Sequence, residues 1–258
     1  GQSSSWYQEI KYHFSDELPK IKKIDWLVDN DNVFWKSLKQ NLSNIRYITF
    51  QGGEPFLDTK HHKLLAYLLE QNKADTFIHY NSNGTIFPES LIKNLLDKFK
   101  HVGFSFSIDN VAEKFNYERH GSSNWDVVYN VLKKFSKLDR NRFKIDLHPT
   151  FSIFNILDMD NIKELADELD FGIHFGFVEN PDYFSVLNIP VPARKKIVHK
   201  LRASKHDVVR EIADNLDNTT YKDRNTEFWN EINRIDRVRG ECFAETYPDM
   251  NKIMLNPV

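Results

Sequence analysis

The chain has a single cysteine, Cys242, among its 258 residues. One cysteine excludes an internal disulfide and any metal cluster held by several thiolates of this chain. No apolar run approaches the roughly 20 residues that a membrane helix needs, and no signal peptide is recognisable, so we expect a cytoplasmic protein with no membrane partner. The formal net charge is only −2, which argues against a nucleic-acid binder driven by bulk charge.

The chain also lacks an initiator methionine, since it begins with Gly1. Residues 2–6 are typical of a loop that enters a helix, and we therefore expect an N-terminally truncated fragment. Apolar residues make up 40% of the chain, which is enough for a sizeable core and argues against general disorder. The length suits one large α/β domain or one domain with a modest extension.

Short β-rich runs alternate with helical patterns over the first two thirds of the chain. This alternation predicts right-handed crossovers and a parallel sheet or barrel. From about residue 190 the pattern is helical and charged, which predicts a helical C-terminal extension. The predicted strands are 45–50, 76–81, 101–108, 143–153 and 172–178, and the predicted helices are about 61–70, 88–99, 124–138 and 159–169.

The predicted strands alternate apolar with small or polar residues. Because helices cover the outside of an α/β barrel, the apolar faces should point outward and the polar faces should line an interior cavity. An antiparallel sheet with one solvated face is the alternative, which the intervening helices disfavour. Three histidines fall on the polar faces and are either pocket residues or metal ligands, namely His79, His148 and His174.

The clearest local signal is Gly52-Gly53-Glu54-Pro55 after the first predicted strand. Two glycines at the carboxyl end of a strand let the backbone approach a ligand closely. Glu54 adds carboxylate oxygens, and Pro55 restricts the chain as it leaves. Such a loop can offer oxygens to an ammonium group. The alternative is a tight strand-to-helix turn without a ligand.

Four motifs in order resemble those of radical S-adenosylmethionine (SAM) enzymes. Gly52–Pro55 resembles the GGEP motif, which contacts the amino group of SAM in that family. Residues 81–85 (NSNGT) resemble the turn after the next strand, and residues 107–109 (SID) the element after the third. Residues 117–121 (YERHG), followed by Trp125 and Asp126, resemble the stretch before the next helix. The resemblance implies that Gly52, Gly53, Glu54, Pro55, Asn83, Ser107 and Arg119 position SAM.

Within this set the resemblance assigns the SAM carboxylate to Ser107 and Arg119. A guanidinium gives a bidentate fork and a hydroxyl adds a donor, so the residue types suit that role. We expect all of these residues to surround one cavity mouth. Asp109, His148 and His174 are candidates to line the substrate cavity.

The resemblance implies a partial (β/α)6 TIM-like barrel that lacks its first strand, over residues 1–185, and a helical extension over residues 186–258. Residues 180–190 and 239–250 resemble "twitch"-type radical SAM proteins. The family's CxxxCxxC loop is missing. In the family its three thiolates bind a [4Fe–4S] cluster. We expect that loop just upstream of Gly1; a homologue that has lost the cluster is the alternative.

The implied function is reductive cleavage of SAM to a 5′-deoxyadenosyl radical, which abstracts hydrogen from a substrate. The substrate class stays open among peptides, nucleotides and small metabolites, and the implied electron donor is a flavodoxin or ferredoxin. The fragment itself is expected to be inactive without cluster cysteines. The alternative function is a non-catalytic SAM-binding or interaction module. Basic runs such as Arg194-Lys195-Lys196 are interpreted as solvated helix faces, with a site for phosphate or acidic peptide left open.

Overall fold

The computed structural model describes residues 32–121, 124–217 and 222–255. Residues 1–6, on which the expected truncation depends, lie outside this part of the chain. Two compact units share the chain: the first takes residues 1–106 and 128–146, and the second takes residues 107–127 and 147–258. Among the described helices, none is long and apolar enough to cross a membrane.

Seven strands and eleven α-helices are described along the chain. The strands are β1 (Tyr47–Phe50), β2 (Phe77–Ser82), β3 (Val102–Phe106), β4 (Phe143–Leu147), β5 (Thr150–Phe151), β6 (Gly172–Ile173) and β7 (Gly176–Phe177). The helices up to residue 168 are α1 (Val33–Asn41), α2 (His62–Glu70), α3 (Glu89–Asn94), α4 (Ala112–Glu118), α5 (Trp125–Phe135) and α6 (Met159–Glu168). The later helices are α7 (Val191–Arg202), α8 (Asp207–Asp217), α9 (Asn225–Arg239), α10 (Phe243–Thr246) and α11 (Pro248–Leu255).

The larger sheet has five strands in the order β1-β2-β3-β4-β6, and β5 pairs with β7 in a second, two-stranded sheet. β1 runs parallel to β2 with Phe50 opposite Tyr80, and β2 runs parallel to β3 with Ser82 opposite Phe106. The predicted α/β fold with a parallel sheet is therefore confirmed. Parallel pairing puts the carboxyl ends of β1, β2 and β3 on one edge of the sheet, where ligands bind in α/β folds.

The core of the first unit is aromatic. Tyr80, Phe104 and Phe106 are fully buried on the predicted apolar faces of β2 and β3. Phe135 of α5 packs edge-on against Phe104 and Phe106, with ring centroids 4.9 and 4.7 Å away. Edge-to-face packing of this kind adds stability beyond the buried area alone. The apolar faces thus meet the helices, as the alternation predicts.

The opposite face of β3 is covered rather than open. Ser105 is 8% exposed, and His79 Nε2 lies 2.9 Å from its hydroxyl oxygen. A Cβ on Gly103 would come within 2.9 Å of the rings of both Phe77 and His79. Glycine is therefore required at position 103 for these two rings to lie against the strand.

The last two predicted strands are each split in the structure. The run 143–153 stops at Leu147 and resumes at Thr150, because Pro149 between them has no N–H to donate. The run 172–178 stops at Ile173 and resumes at Gly176. The backbone N–H of His174 still donates to the carbonyl of Leu147 at 2.9 Å, so the two runs stay side by side.

The second unit has its own aromatic core. Tyr117, Phe154, Phe184, Phe243 and Tyr247 pack together with ring centroids 4.9–6.5 Å apart. The predicted helical character after residue 190 is confirmed, since every regular element described from there to residue 255 is a helix. The predicted domain boundary at residues 185 and 186 stays a prediction.

Candidate cofactor site

The glycine loop directly follows β1. Gly52 and Gly53 have φ values of +93° and +60°, in the left-handed region that residues with a Cβ adopt rarely. A Cβ placed on Gly52 would meet no atom within 4 Å. The two glycines are thus required by backbone conformation, and the open space beside Gly52 leaves its peptide groups accessible to a ligand.

Glu54 braces this loop against the end of β2. Its side chain is 3% exposed. One carboxylate oxygen accepts from the Ser82 hydroxyl and the Asn83 backbone N–H, both at 2.9 Å. The other accepts from the Phe56 backbone N–H at 3.2 Å. Burial raises the pKa of Glu54, and these hydrogen bonds oppose the rise. The sequence interpretation offered these oxygens to a ligand. In the structure one oxygen joins the glycine loop to the end of β2, and the other caps the turn that follows Glu54.

The side chain of Asn83 forms hydrogen bonds within its own turn. Its side-chain oxygen accepts from the backbone N–H of Thr85 at 3.0 Å and from the Thr85 hydroxyl at 2.6 Å. Gly84 between them has φ +74°, and its N–H donates to the Ser82 hydroxyl oxygen at 3.1 Å. Such an Asx turn is a local alternative to a backbone turn. The side-chain oxygen of Asn83 therefore shapes the loop beside Glu54.

A cavity of about 690 Å³ opens beside the glycine loop within the first unit. Gly52, Gly53, Glu54 and Pro55 line it together with apolar residues of β1 and with His61. His61 is buried, with 4% of its surface exposed. Burial, and then the neighbouring His62, lower the pKa of His61 to about 4, so its ring is neutral at pH 7. His61 Nε2 is buried without a hydrogen-bond partner among the described residues.

His61 was missed because its sequence signal is weak. Two adjacent histidines at a predicted helix start resemble a solvated helix end. In the structure the His61 ring packs 4.6 Å from that of Phe50 and 5.6 Å from that of Tyr80. Only the packing of α2 on the strands distinguishes it from its exposed neighbours.

In the second unit, Arg119 is held by the residues of the SID motif. Its guanidinium donates to the backbone carbonyl of Ser107 at 2.9 Å and forms an ion pair with Asp109. The other oxygen of Asp109 accepts from the Thr150 N–H at 2.9 Å. The side chains of Arg119 and Asp109 are 25% and 17% exposed. Asp109, predicted to line a substrate cavity, thus has one oxygen on Arg119 and the other on the backbone N–H of Thr150.

The residue before Arg119 carries an unusual carboxylate. Glu118 accepts from the side-chain amide of Asn110 at 2.9 Å and from the Tyr247 hydroxyl at 3.1 Å. Burial, and then the charge of Asp109, raise the pKa of Glu118 to about 8. Glu118 is therefore mostly protonated at pH 7 and supports the C-terminal end of α4 as a neutral acid. No sequence pattern indicated a role for Glu118.

The remaining candidates are three histidines. His148 and His174 are exposed and lie outside the strands, while His79 lies beside Ser105 in the first unit. Among the described residues, no group of three or more histidine, cysteine, aspartate or glutamate side chains is arranged to hold a metal ion. Cys242 is a half-buried free thiol. The predicted roles of His148 and His174 in a substrate cavity stay predictions.

Residues 35–172, more than half of the chain, match the family model described as the Radical SAM superfamily. The chain belongs to the radical SAM superfamily. All four motifs, from Gly52 to Asp126, lie within the matched residues. No curated protein matches this chain.

Among the solved structures similar to this chain are two of anSMEcpe. One is described as native anSMEcpe with bound AdoMet; it shares 18% identity, with 82% of this chain and 53% of that chain covered, at a TM-score of 0.49. The other is native anSMEcpe with bound AdoMet and Cp18Cys peptide; it shares 17% identity, with 68% and 49% covered, at a TM-score of 0.44. The chain thus spans about half the length of these proteins.

Proposed function

We propose that this chain is the SAM-binding part of a radical SAM enzyme. The observation that carries the proposal is the Gly52-Gly53 loop, which ends β1 with two positive φ angles and is braced by the buried carboxylate of Glu54. Superfamily membership over residues 35–172 supports it. The same proposal includes the "twitch" assignment. It also includes a substrate that is a peptide, a nucleotide or a small metabolite, and a flavodoxin or ferredoxin as the electron donor.

The residues present fit SAM. Gly52 is exposed with open space beside it, and backbone carbonyls there suit an ammonium group. Arg119 provides a guanidinium whose orientation is set by Asp109 and by the Ser107 carbonyl, and a guanidinium suits a carboxylate. In this proposal Gly52–Pro55 contact the amino group of SAM, Asn83 helps to position SAM, and Ser107 and Arg119 bind the carboxylate. When bound, SAM supplies the adenosyl group on which the chemistry of the superfamily depends.

The same residues do not fit a [4Fe–4S] cluster. Three thiolates are needed, and the chain contains only Cys242. The enzyme proposal therefore applies to a protein in which further cysteines hold the cluster. This single cysteine is also the observation that favours the second candidate function, a non-catalytic SAM-binding module.

Both candidate functions require SAM binding, so a SAM-binding experiment tests the property that they share. Isothermal titration of SAM into the chain is expected to show one site, and Arg119→Lys is expected to weaken it about tenfold because the bidentate fork is lost. Arg237→Lys, at an exposed position of α9, is the matched control. An absence of SAM binding, or equal binding by the Arg119→Lys variant, would contradict the proposed site.

Iron content separates the two candidates. After anaerobic reconstitution, this chain alone is expected to hold no stoichiometric [4Fe–4S] cluster. The protein as encoded by its whole gene is expected to hold one if it is an enzyme and none if it is a binding module. Iron and sulfide counting with visible absorption measures the difference directly.

A further inference from the structure

Helix α7 carries charge of one sign only. Its sequence, VPARKKIVHKLR, contains five lysines and arginines and one histidine but no acid. Residues four apart on a helix are neighbours, so Lys195 faces His199 and Lys196 faces Lys200. Like charges at this spacing destabilise a helix. The next helix, α8, has the mixed pattern of a solvated surface helix, with Asp207 and Arg210 paired three residues apart.

The positive side chains at the C-terminal end of α7 can be explained by the helix dipole, but those near the centre of the helix cannot. Positive side chains in the last turn of a helix are stabilised by the helix dipole. This accounts for His199, Lys200 and Arg202, which lie in the last turn of α7. Lys195 and Lys196 lie near the centre of the helix, where the effect of the dipole has faded. Both are exposed.

These cations line a concave surface. A groove of about 520 Å³ lies between α7 and α11 within the second unit. We call it the basic groove. Ile253 is 7% exposed and contributes an apolar part of the lining. The basic groove is lined by Lys195, Lys196, His199, Lys200, Asp249, Lys252 and Ile253.

A carboxylate of the chain itself already lies in the basic groove. Lys200 Nζ is 2.7 Å from an Asp249 carboxylate oxygen. The hydrogen bond and charge of Lys200 lower the pKa of Asp249, and the charges of Lys114 and Lys252 add to this effect. Asp249 is exposed, so its carboxylate marks a place where the surrounding ammonium groups attract an acid. The lining contains four lysines and this one carboxylate.

We infer that the basic groove binds an acidic segment of a polypeptide, with two or more aspartate or glutamate side chains. Carboxylates would join Asp249 among the ammonium groups, while the backbone of the segment would lie against Ile253 and the methylene stems of the lysines. Charge complementarity gives such a surface its specificity. This site is separate from the residues assigned to SAM and does not depend on that assignment.

A nucleic acid fits the basic groove less well. Long polyanions are bound by basic stripes on proteins with an excess of positive charge. Here the net charge of the chain is −2, and the groove is short. The anion that the structure shows among these lysines is a carboxylate rather than a phosphate mimic. A short acidic peptide is therefore the occupant that both size and charge favour.

The test uses the chain at low ionic strength with fluorescein-labelled hexaglutamate, followed by fluorescence anisotropy. A double variant, Lys195→Gln with Lys252→Gln, removes two exposed cations of the basic groove. The matched control, Lys36→Gln with Lys39→Gln on α1, removes the same charge from exposed positions elsewhere. We expect the groove variant to bind hexaglutamate at least tenfold more weakly and the control to bind as the parent does. Circular dichroism checks that each variant keeps its helices.

Four results would overturn the inference. The first is no binding of hexaglutamate by the parent chain, and the second is an equal loss in both double variants. The third is that labelled hexathymidylate binds the parent chain as tightly as hexaglutamate does and binds the groove variant much more weakly. The groove would then recognise phosphate groups. The fourth is that hexaglutamine, a neutral probe, binds with the same affinity as hexaglutamate, which would exclude recognition by charge.

Discussion

Asp109 holds Arg119 on one side and the backbone N–H of Thr150 on the other. A carboxylate used in this way sets the direction of a guanidinium before any ligand arrives. The partners lie 10 and 41 residues from Asp109 along the chain. The relationship makes Asp109 a positioning residue for Arg119, while its predicted place in a substrate cavity stays a prediction.

Asp109→Asn tests this relationship through stability. Asparagine keeps an oxygen for Thr150 N–H but presents no charge to Arg119. We expect a loss of about 1.5–3 kcal/mol in the free energy of unfolding, the range for a hydrogen bond to a charged group. Urea denaturation measures it. Asp126→Asn, at an exposed position of α5, is the control and should change stability by less than about 0.5 kcal/mol. Equal stability of the two variants would show that the ion pair contributes nothing.

Glu54→Ala should be among the most destabilising substitutions in the first unit. It leaves the Ser82 hydroxyl and the Asn83 N–H without their acceptor in a buried place. Unsatisfied buried donors together cost about 2–4 kcal/mol. Glu70→Ala, at an exposed helix end, provides the comparison in the same urea titration. A loss at Glu54 no larger than at Glu70 would contradict the bracing role.

Glu118→Gln should change how stability depends on pH. The folded-state pKa of Glu118, about 8, lies above its ordinary value of 4.5. Its contribution to stability is thus complete below pH 4.5 and lost as pH rises through 8. Glutamine keeps the acceptor oxygen but cannot ionise, so the variant should match the parent near pH 4 and exceed it by about 1–3 kcal/mol near pH 9.

Unfolding midpoints measured from pH 4 to pH 9 check this expectation. Glu113→Gln, at an exposed position of the same helix α4, is the control and should follow the parent across the range. A constant difference between the Glu118 variant and the parent would mean that Glu118 does not titrate in this interval.

Gly103→Ala should destabilise the first unit, because its Cβ would come within 2.9 Å of the rings of Phe77 and His79. Overpacking of this kind typically costs about 1–3 kcal/mol. Gly176→Ala is the matched control, since a Cβ there meets nothing within 4 Å. Thermal unfolding of both variants gives the comparison, and equal midpoints would mean that the two rings move aside without penalty.

Much of the fold was readable from local patterns. Alternating apolar residues placed β1, β2 and β3 within a few residues of their observed bounds, because strand periodicity and packing both depend on neighbouring residues. The predicted strand over residues 143–153 was too long, because Pro149 within it has no N–H to donate and the strand is interrupted there. Pairing with Gly176 and Val178 through the carbonyls of Pro149 and Phe151 is a tertiary feature.

The sequence by itself determined the glycine loop, the order of the motifs and the parallel α/β architecture, since each depends on residue type and local spacing. Only the tertiary structure decided what the charged groups do. Glu54 and Asp109 bind partners 28 and 41 residues away, His61 is buried by strand and helix packing, and the basic groove forms where α7 meets α11. Hydrogen bonds and burial between distant segments leave no periodic trace in a sequence, so these roles became visible only when the chain was folded.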